Sequence, residues 1–161
     1  MLTKERLKEV LHYNPETGLF TWIVRTAMRT KAGEIAGRKD RYGYVFIQID
    51  RKKYPAHRIA WLYVNGVFPN EEIDHINGMR DDNRISNLRE ADRRLNCENR
   101  RKSQSNNKLG ILGVCKLGSG KYQAQIVVGG EKKYLKCWDT PELAHQAYLT
   151  AKRKLHLYCT I

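Results

Sequence analysis

The 161-residue chain lacks a long apolar run: no stretch approaches the roughly 20 apolar residues that a membrane-spanning helix requires. Its opening residues, MLTKERLKEV, also lack the apolar core of a signal peptide. Apolar residues make up 41% of the chain, which is enough for compact cores but not for one large core. We therefore expect a soluble, cytoplasmic protein of one medium domain or a few small ones, with no membrane partner.

Cysteine is also scarce, and no two cysteines form a C-x-x-C pair. The four residues are Cys97, Cys115, Cys137 and Cys159. Their wide spacing argues against a zinc finger and against a disulfide framework. We expect them to be buried as small apolar residues in a reducing compartment.

Acidic residues are few: the chain has 17 of them and 30 basic residues, so the formal net charge is +13. The excess of basic residues extends along the whole chain, so it is not a single basic tail. A field of this sign favours a polyanionic partner through counterion release. Nucleic acid is favoured over an anionic membrane, because no Lys/Arg-rich amphipathic helix with a broad apolar face is present.

The residue patterns divide the chain into modules of mixed helix and strand. Residues 1–53 are predicted to form a helix over TKERLKEVLHY, residues 3–13, and then a β-rich segment. Residues 54–101 are predicted to follow the order helix, strand, polar loop, strand, helix. The polar segment 102–109 is the expected linker. Residues 110–161 predict a three-stranded sheet followed by one helix. The expected fold class is therefore a modular α+β protein.

The most unusual stretch is EIDHINGMRDDNRISNLR, residues 72–89. We predict that it begins as a strand, so that Asp74 and His75 point to opposite faces, and that ISNL forms a second strand. Asn96 and Asn99 are three residues apart on the following predicted helix and share one face. If that helix packs across the hairpin, a carboxylate, an imidazole and an amide converge.

These groups suit metal-assisted cleavage of a phosphodiester. Asp74 and the carbonyl oxygen of Asn96 are hard oxygen ligands of the kind that Mg²⁺ prefers, and a cation there would neutralise the phosphate. His75 can accept a proton from the attacking water, since the unperturbed pKa of histidine lies near 6.5.

The segment YPAHRIAW…EIDHINGMRDDNRISNLREADRRLNCENR, covering roughly residues 54–101, resembles the HNH endonucleases of the phage and intron homing type. The resemblance implies a ββα-metal (His-Me finger) unit in which His75 is the general base and Asp74 binds the metal. It also gives Asn87 a catalytic part as a brace: its side chain bonds across the loop and holds the hairpin so that His75 is correctly oriented. The third position is usually His, and Asn96 in its place favours Mg²⁺ or Mn²⁺ over zinc.

Three further polar residues of this region have open roles. Asn83 is interpreted as a turn residue whose side chain bonds the backbone. Asn99 is a candidate site residue or a surface residue that faces phosphate. His57, just before the predicted first helix of this module, is a candidate site residue, a core residue or a phosphate contact.

The C-terminal segment GVCKLGSGKYQAQIVVGGEKKYLKCWDTPELAHQAYLTAKRKL resembles the DNA-binding domain of plant ethylene-response factors, the Apetala-two type. The resemblance implies a sheet that enters the major groove, where glutamine can read adenine and lysine can reach guanine or phosphate. The N-terminal segment resembles the leading part of homing nucleases more weakly, with basic residues that contact phosphates. The predicted DNA-binding residues are Arg38, Lys39, Arg41, Arg51, Lys52, Lys53, Arg84, Arg93, Lys116, Lys121, Gln123, Gln125, Lys133 and Lys136.

The expected function is a DNA endonuclease that hydrolyses phosphodiester bonds of double-stranded DNA with Mg²⁺ or Mn²⁺ and no small-molecule cofactor. A monomer with one catalytic unit is expected to nick one strand, and the resemblance implies a phage-encoded enzyme acting in a bacterial host. The alternative is a DNA-binding regulator that keeps the HNH unit only as a catalytically silent scaffold. An RNA-binding protein is disfavoured, because the chain lacks the aromatic pairs of single-strand RNA platforms.

Overall fold

The computed structural model describes residues 2–25, 30–156 and 159–161. They form two compact units, Met1–Asp92 and Arg93–Ile161. The predicted module boundary at residue 53 therefore lies inside the first unit, and the helix predicted to end the nuclease module belongs to the second. Both units mix helices with antiparallel strands, as an α+β class requires.

The first unit consists of two helices and three small antiparallel sheets. Its elements are α1 (Lys4–Val10), β1 (Leu11–Asn14), β2 (Leu19–Trp22), β3 (Arg38–Lys39), β4 (Val45–Ile49), β5 (Lys52–Pro55), α2 (Ala56–Asn65), β6 (Glu72–His75), a 3₁₀ turn (Ile85–Asn87) and β7 (Leu88–Ala91). The sheets are β1–β2, β3–β4–β5 and β6–β7. Thr3 caps α1 by accepting a hydrogen bond from the backbone of Arg6, and Gly66 ends α2 in the left-handed conformation.

One hydrophobic core unites this unit. It includes Leu7 and Val10 of α1, Phe20 of β2, Ile47 of β4 and Ile59 of α2, all at most 2% exposed. The N-terminal helix, the β-rich segment and α2 thus bury their apolar faces against each other, which explains why no domain boundary falls at residue 53.

Two predicted elements differ from the structure. The first helix ends at Val10, because Leu11 pairs with Trp22 as the first residue of β1. The segment ISNL is not a strand: Ile85–Asn87 form a 3₁₀ turn, and β7 begins only at Leu88. The turn places Asn87 inside the loop that joins β6 to β7 rather than on a sheet face.

The second unit combines a short helix with the expected sheet-plus-helix module. Its elements are α3 (Arg93–Glu98), β8 (Val114–Lys116), β9 (Tyr122–Val128), β10 (Glu131–Trp138) and α4 (Pro141–Leu155). The strand order is β10–β9–β8, and Ala124 and Ile126 of β9 pack with Ala144 and Tyr148 of α4. Thr140 caps α4 by accepting from the backbone of Leu143.

The cysteines are not buried as predicted. Cys97 and Cys137 are exposed, Cys115 and Cys159 are partly exposed, and all four are free thiols. None of the helices in residues 2–25, 30–156 and 159–161 has the length and apolar character of a membrane span.

Candidate active site

The β6–β7 hairpin places the predicted metal ligand and the predicted general base on opposite faces. In its antiparallel register Asp74 lies opposite Arg89 and His75 lies opposite Leu88. Since paired residues share a face and neighbours alternate, Asp74 and Arg89 occupy one face and His75 shares the other with Leu88. This is the opposite orientation of Asp74 and His75 that the strand pattern predicts.

The Asp74 carboxylate is held by an ion pair. Arg89 donates from Nε and Nη2 to Oδ2 of Asp74 at 3.0 and 2.8 Å. Both side chains are largely buried, with 8% of Asp74 and 22% of Arg89 exposed. The guanidinium compensates a carboxylate that would otherwise be costly to bury.

His75 is buried at the end of β6, and its ring contacts the side chain of Asn83. Its Nε2 lies 3.3 Å from Oδ1 of Asn83, while Nδ2 of Asn83 donates to the carbonyl of Asp81. That second bond orients the amide, so Oδ1 is the acceptor and Nε2 of His75 carries the proton. In the neutral imidazole the basic lone pair is then on Nδ1. Burial is the main cause that lowers the pKa of His75, which keeps the ring neutral near pH 7.

Asn87 bonds across the loop that joins β6 to β7. Its Nδ2 donates to the carbonyl of Asp82 at 2.8 Å and to Oδ1 of Asn77 at 3.1 Å, and its Oδ1 accepts from the backbone of Asn77 at 2.9 Å. These bonds connect the two ends of the loop that contains Asn83. Such a geometry matches the predicted brace.

The β1–β2 hairpin supports the same loop from the N-terminal side. The hydroxyl of Tyr13 donates to the carbonyl of Asn83 at 2.7 Å in a buried position. Gly18 has a φ of +72°, and a Cβ there would lie 2.4 Å from the nitrogen of Arg84. The backbone on which Asn83 sits is therefore pressed against the turn between β1 and β2.

Two aromatic rings lie beside His75. The ring centroid of His57, in the first turn of α2, is 5.2 Å from that of His75, with the planes at 78°. Tyr44 is 5.6 Å from His57 and 6.1 Å from His75. Burial, and next the neighbouring His75, lowers the pKa of His57 to about 3, so its ring is neutral. Its Nδ1 is buried and has no hydrogen-bond partner among the described residues.

The predicted site residues of α3 and its end lie in the second unit. Asn96 is partly exposed on α3. Asn99 is buried, and its Oδ1 accepts from the hydroxyl of Thr160 at 2.6 Å. Because Asp74 belongs to the first unit, its meeting with Asn96 stays a prediction.

The donor atoms suit a hard divalent cation. Asp74 offers carboxylate oxygens and Asn96 an amide oxygen, a set that fits Mg²⁺ or Mn²⁺ better than zinc. Within the described ranges, no three His, Cys, Asp or Glu side chains are grouped as a metal site.

The predicted DNA-binding residues of the first unit are all exposed, but three of them are tied to partners. Lys39 pairs with Asp81 at 2.6 Å, and Arg84 pairs with Asp82 at 2.6 Å. Arg41 lies over the ring of Tyr42 at 4.6 Å. Arg38 is on β3, Arg51 is in the β4–β5 turn with a φ of +63°, and Lys52 and Lys53 are on β5.

The sheet of the second unit distributes its predicted DNA-binding residues differently from the expectation. Gln123 and Gln125 lie on the face opposite Ala124 and Ile126, as predicted. Lys133, however, pairs with Ile126, and Lys116 pairs with Tyr122. Because paired residues share a face, both lysines project from the sheet face that α4 covers.

Three other predicted contacts of this unit are exposed. Lys121 forms an ion pair with Asp139 at 3.5 Å. Lys136 lies at the bulge of β10, between Tyr134 and Cys137. Arg93 is at the start of α3.

Sequence reasoning missed three residues that touch the site. Asn83 bonds the backbone of the turn at Asp81, as predicted, but its contact with the ring of His75 is not predicted. Tyr13 and Arg89 were not singled out. Of the two, Arg89 could have been found from the sequence, because pairing β6 with β7 in the observed register places it opposite Asp74.

Comparison with known proteins finds a similarity for part of the first unit and the start of the second. Residues 54–97 match the family model described as HNH endonuclease. No curated protein and no solved structure matches the chain. The family match supports nuclease activity in general and a nucleic-acid substrate, for a segment that includes Asp74, His75, Asn83 and Asn87.

Proposed function

We propose that the chain is an HNH-type endonuclease that hydrolyses phosphodiester bonds of double-stranded DNA with Mg²⁺ or Mn²⁺. The observation that carries this proposal is the buried His75, bonded through Nε2 to Asn83 inside the segment that matches the HNH family. A neutral histidine that carries its proton on Nε2 has its basic lone pair on Nδ1, which is the protonation state that a general base needs.

In this mechanism Nδ1 of His75 accepts a proton of the attacking water, and the water oxygen forms the new bond to phosphorus as the bond from phosphorus to the 3′ oxygen breaks. The departing 3′ oxygen takes a proton from solvent water. Asn83 keeps the proton of His75 on Nε2, so that Nδ1 stays basic. Asp74 and Asn96 would hold the metal ion, which when bound stabilises the charge on the phosphate and on the departing 3′ oxygen. The products are a 5′-phosphate and a 3′-hydroxyl.

The remaining residues of the hairpin prepare these two groups. Arg89 orients Asp74 through its two hydrogen bonds to Oδ2. Asn87 holds the loop closed, so that Asn83 stays within reach of His75. These are positioning roles, since neither side chain needs to touch the substrate.

DNA contact is proposed for both units. The net charge of +13 favours binding to the phosphate backbone, and the exposed lysines and arginines of β3, β5 and the β4–β5 turn would position the duplex. In the second unit Gln123 and Gln125 lie on the sheet face that α4 does not cover, where they could read base edges. Each chain has one His75, so a monomer of the homing type is expected to nick one strand.

The test is cleavage of supercoiled plasmid carrying the DNA that flanks the coding region of the chain, with Mg²⁺ or Mn²⁺ added. The wild-type protein should convert it first to open circles and then to linear DNA. His75→Ala should lower the cleavage rate by about 10²–10⁴-fold, while DNA affinity changes little. His12→Ala is the matched control, because His12 is an exposed histidine on β1.

Two results would count against the proposal. Concerted linearisation without an open-circle stage would contradict nicking by a monomer. Tight DNA binding with no metal-dependent cleavage of any DNA would favour the DNA-binding regulator with a silent HNH scaffold.

A further inference from the structure

The first turn of α2 is clamped to the chain that leads into β6. Arg58 donates from Nη1 to the carbonyl of Glu71 and from Nη2 to that of Pro69, both at 3.0 Å. Ile59 and Ala60, which follow it, are fully buried. The neighbouring residue, His57, is therefore held at a fixed place relative to the strand that ends in His75.

His57 meets His75 through ring contact rather than through a hydrogen bond. The two rings are 5.2 Å apart at 78°, an edge-to-face arrangement that restricts rotation of either ring. Tyr44 lies near both rings and is covered by the guanidinium of Arg80 at 4.9 Å. His75 is thus flanked by two rings as well as bonded to Asn83.

Stability alone does not explain a histidine at this position. Nδ1 of His57 is buried without a partner among the described residues, and an orphaned polar atom of this kind destabilises the fold. An apolar ring would fill the same space without that cost. The neutral charge of His57 does matter, however, because a cation beside His75 would oppose proton transfer to it.

We propose that His57 is a positioning residue of the nuclease site, whose ring holds His75 in the rotation that directs Nε2 to Asn83. The inference rests on the proposed function, in which His75 is the general base. Its action passes entirely through His75 and requires no contact between His57 and the DNA.

The test combines a spectroscopic readout with cleavage. Long-range proton–nitrogen correlation spectra of protein labelled with ¹⁵N-histidine report which ring nitrogen carries the proton, and His75→Ala assigns the His75 signals. The wild-type protein should show His75 protonated on Nε2 at neutral pH. In His57→Ala that signature should shift towards a mixture of both tautomers, and single-turnover cleavage should fall about tenfold or more at unchanged DNA affinity.

His57→Phe is the conservative variant, since it keeps an aromatic ring edge and removes both nitrogens. It should retain the His75 signature and most of the cleavage rate, which a general loss of structure would not allow. His12→Ala, at an exposed position of β1, should change neither readout.

Two outcomes would overturn the inference. One is a His75 signature and cleavage rate that stay unchanged in His57→Ala. The other is loss of cleavage in His57→Phe with an intact signature, since that would make a nitrogen of His57 the functional group. The spectra can be recorded whether or not the protein cleaves DNA. If the wild-type protein cuts no DNA, the nuclease function is refuted. The effect of His57 on the tautomer of His75 is still tested by comparing the spectra of the wild-type protein and His57→Ala.

Discussion

Replacing Gly18 by alanine tests the contact between the β1–β2 turn and the loop that holds Asn83. Gly18 has a φ of +72°, and an added Cβ would lie 2.4 Å from the nitrogen of Arg84 and 2.6 Å from the carbonyl carbon of Asn83. Both atoms belong to backbone, which cannot rotate away as a side chain can. The loop must therefore move as a whole to admit one methyl group.

The cost of this substitution has two parts. A left-handed backbone costs an alanine about 1–2 kcal/mol. Forcing a methyl group into a packed site adds about 1–3 kcal/mol. The total loss in unfolding free energy is about 2–5 kcal/mol, and each kcal/mol lowers the melting temperature of a unit of this size by about 4–8 °C.

Gly33→Ala provides the matched control. Gly33 has a φ of +87°, but no atom lies within 4 Å of a Cβ placed there. It should show only the backbone part of the cost, about 1–2 kcal/mol. The difference between the two variants, measured by thermal unfolding, then isolates the clash with the loop.

The same pair of variants connects stability with activity. Asn83 lies 3.3 Å from His75, so a loop shift of half an ångström or more breaks their hydrogen bond. At a temperature where both variants are folded, Gly18→Ala should cleave about tenfold more slowly or worse, and Gly33→Ala at nearly the wild-type rate. Equal stability losses, or equal cleavage rates, would refute the view that the turn sets the position of the loop.

Two further predictions concern the neighbours of His75. Asn83→Ala should slow cleavage by about tenfold or more without weakening DNA binding, because it removes the acceptor that keeps the proton of His75 on Nε2. Asn70→Ala is the control, since Asn70 is exposed. A comparable loss of cleavage rate in both variants would contradict the role of Asn83. His57 should make stability depend on pH. Its pKa is about 3 in the folded chain and 6.5 when unperturbed, so only the unfolded state gains a proton as the pH falls from 6.5 towards 3. Unfolding free energy should therefore drop by about 2 kcal/mol between pH 7 and pH 5 in the wild-type protein relative to His57→Phe. Urea unfolding at both pH values measures this difference, and parallel curves for the two proteins would show that His57 is not buried in its neutral form.

Local sequence patterns predict the first strand of the hairpin and the loop that follows it, because both depend on short-range rules, whereas the bracing role of Asn87 is implied only by the resemblance to HNH endonucleases. Alternation in Glu72–His75 and the polar loop that follows predict a strand and a turn, and Asn87 bonds within that loop. The end of α1 could not be predicted in the same way. Leu11 suits the apolar face of a helix, but its pairing with Trp22 in β1 overrides that preference.

The contact of Asn83 with His75 is beyond local rules for a similar reason. Eight residues separate the two, and the loop path between them is set by Tyr13, which is 70 residues away from Asn83 along the chain. No pattern within residues 72–89 encodes that support. The interpretation of Asn83 as a turn residue that bonds the backbone is confirmed by its bond to the carbonyl of Asp81, but local rules do not predict its contact with His75.

The hairpin register couples the stability of the first unit to its proposed chemistry. Ile73 and Leu88 are 8% and 6% exposed and belong to the core, and they lie on the same face of the hairpin as His75. A slip of β6 by one residue would turn Asp74 towards that core and His75 away from His57 and Asn83. Burying a carboxylate without Arg89 is costly, so the slipped register is disfavoured. The two apolar residues thus select the one register in which the carboxylate and the imidazole reach their separate partners, and a polar substitution at either one should reduce stability and cleavage together.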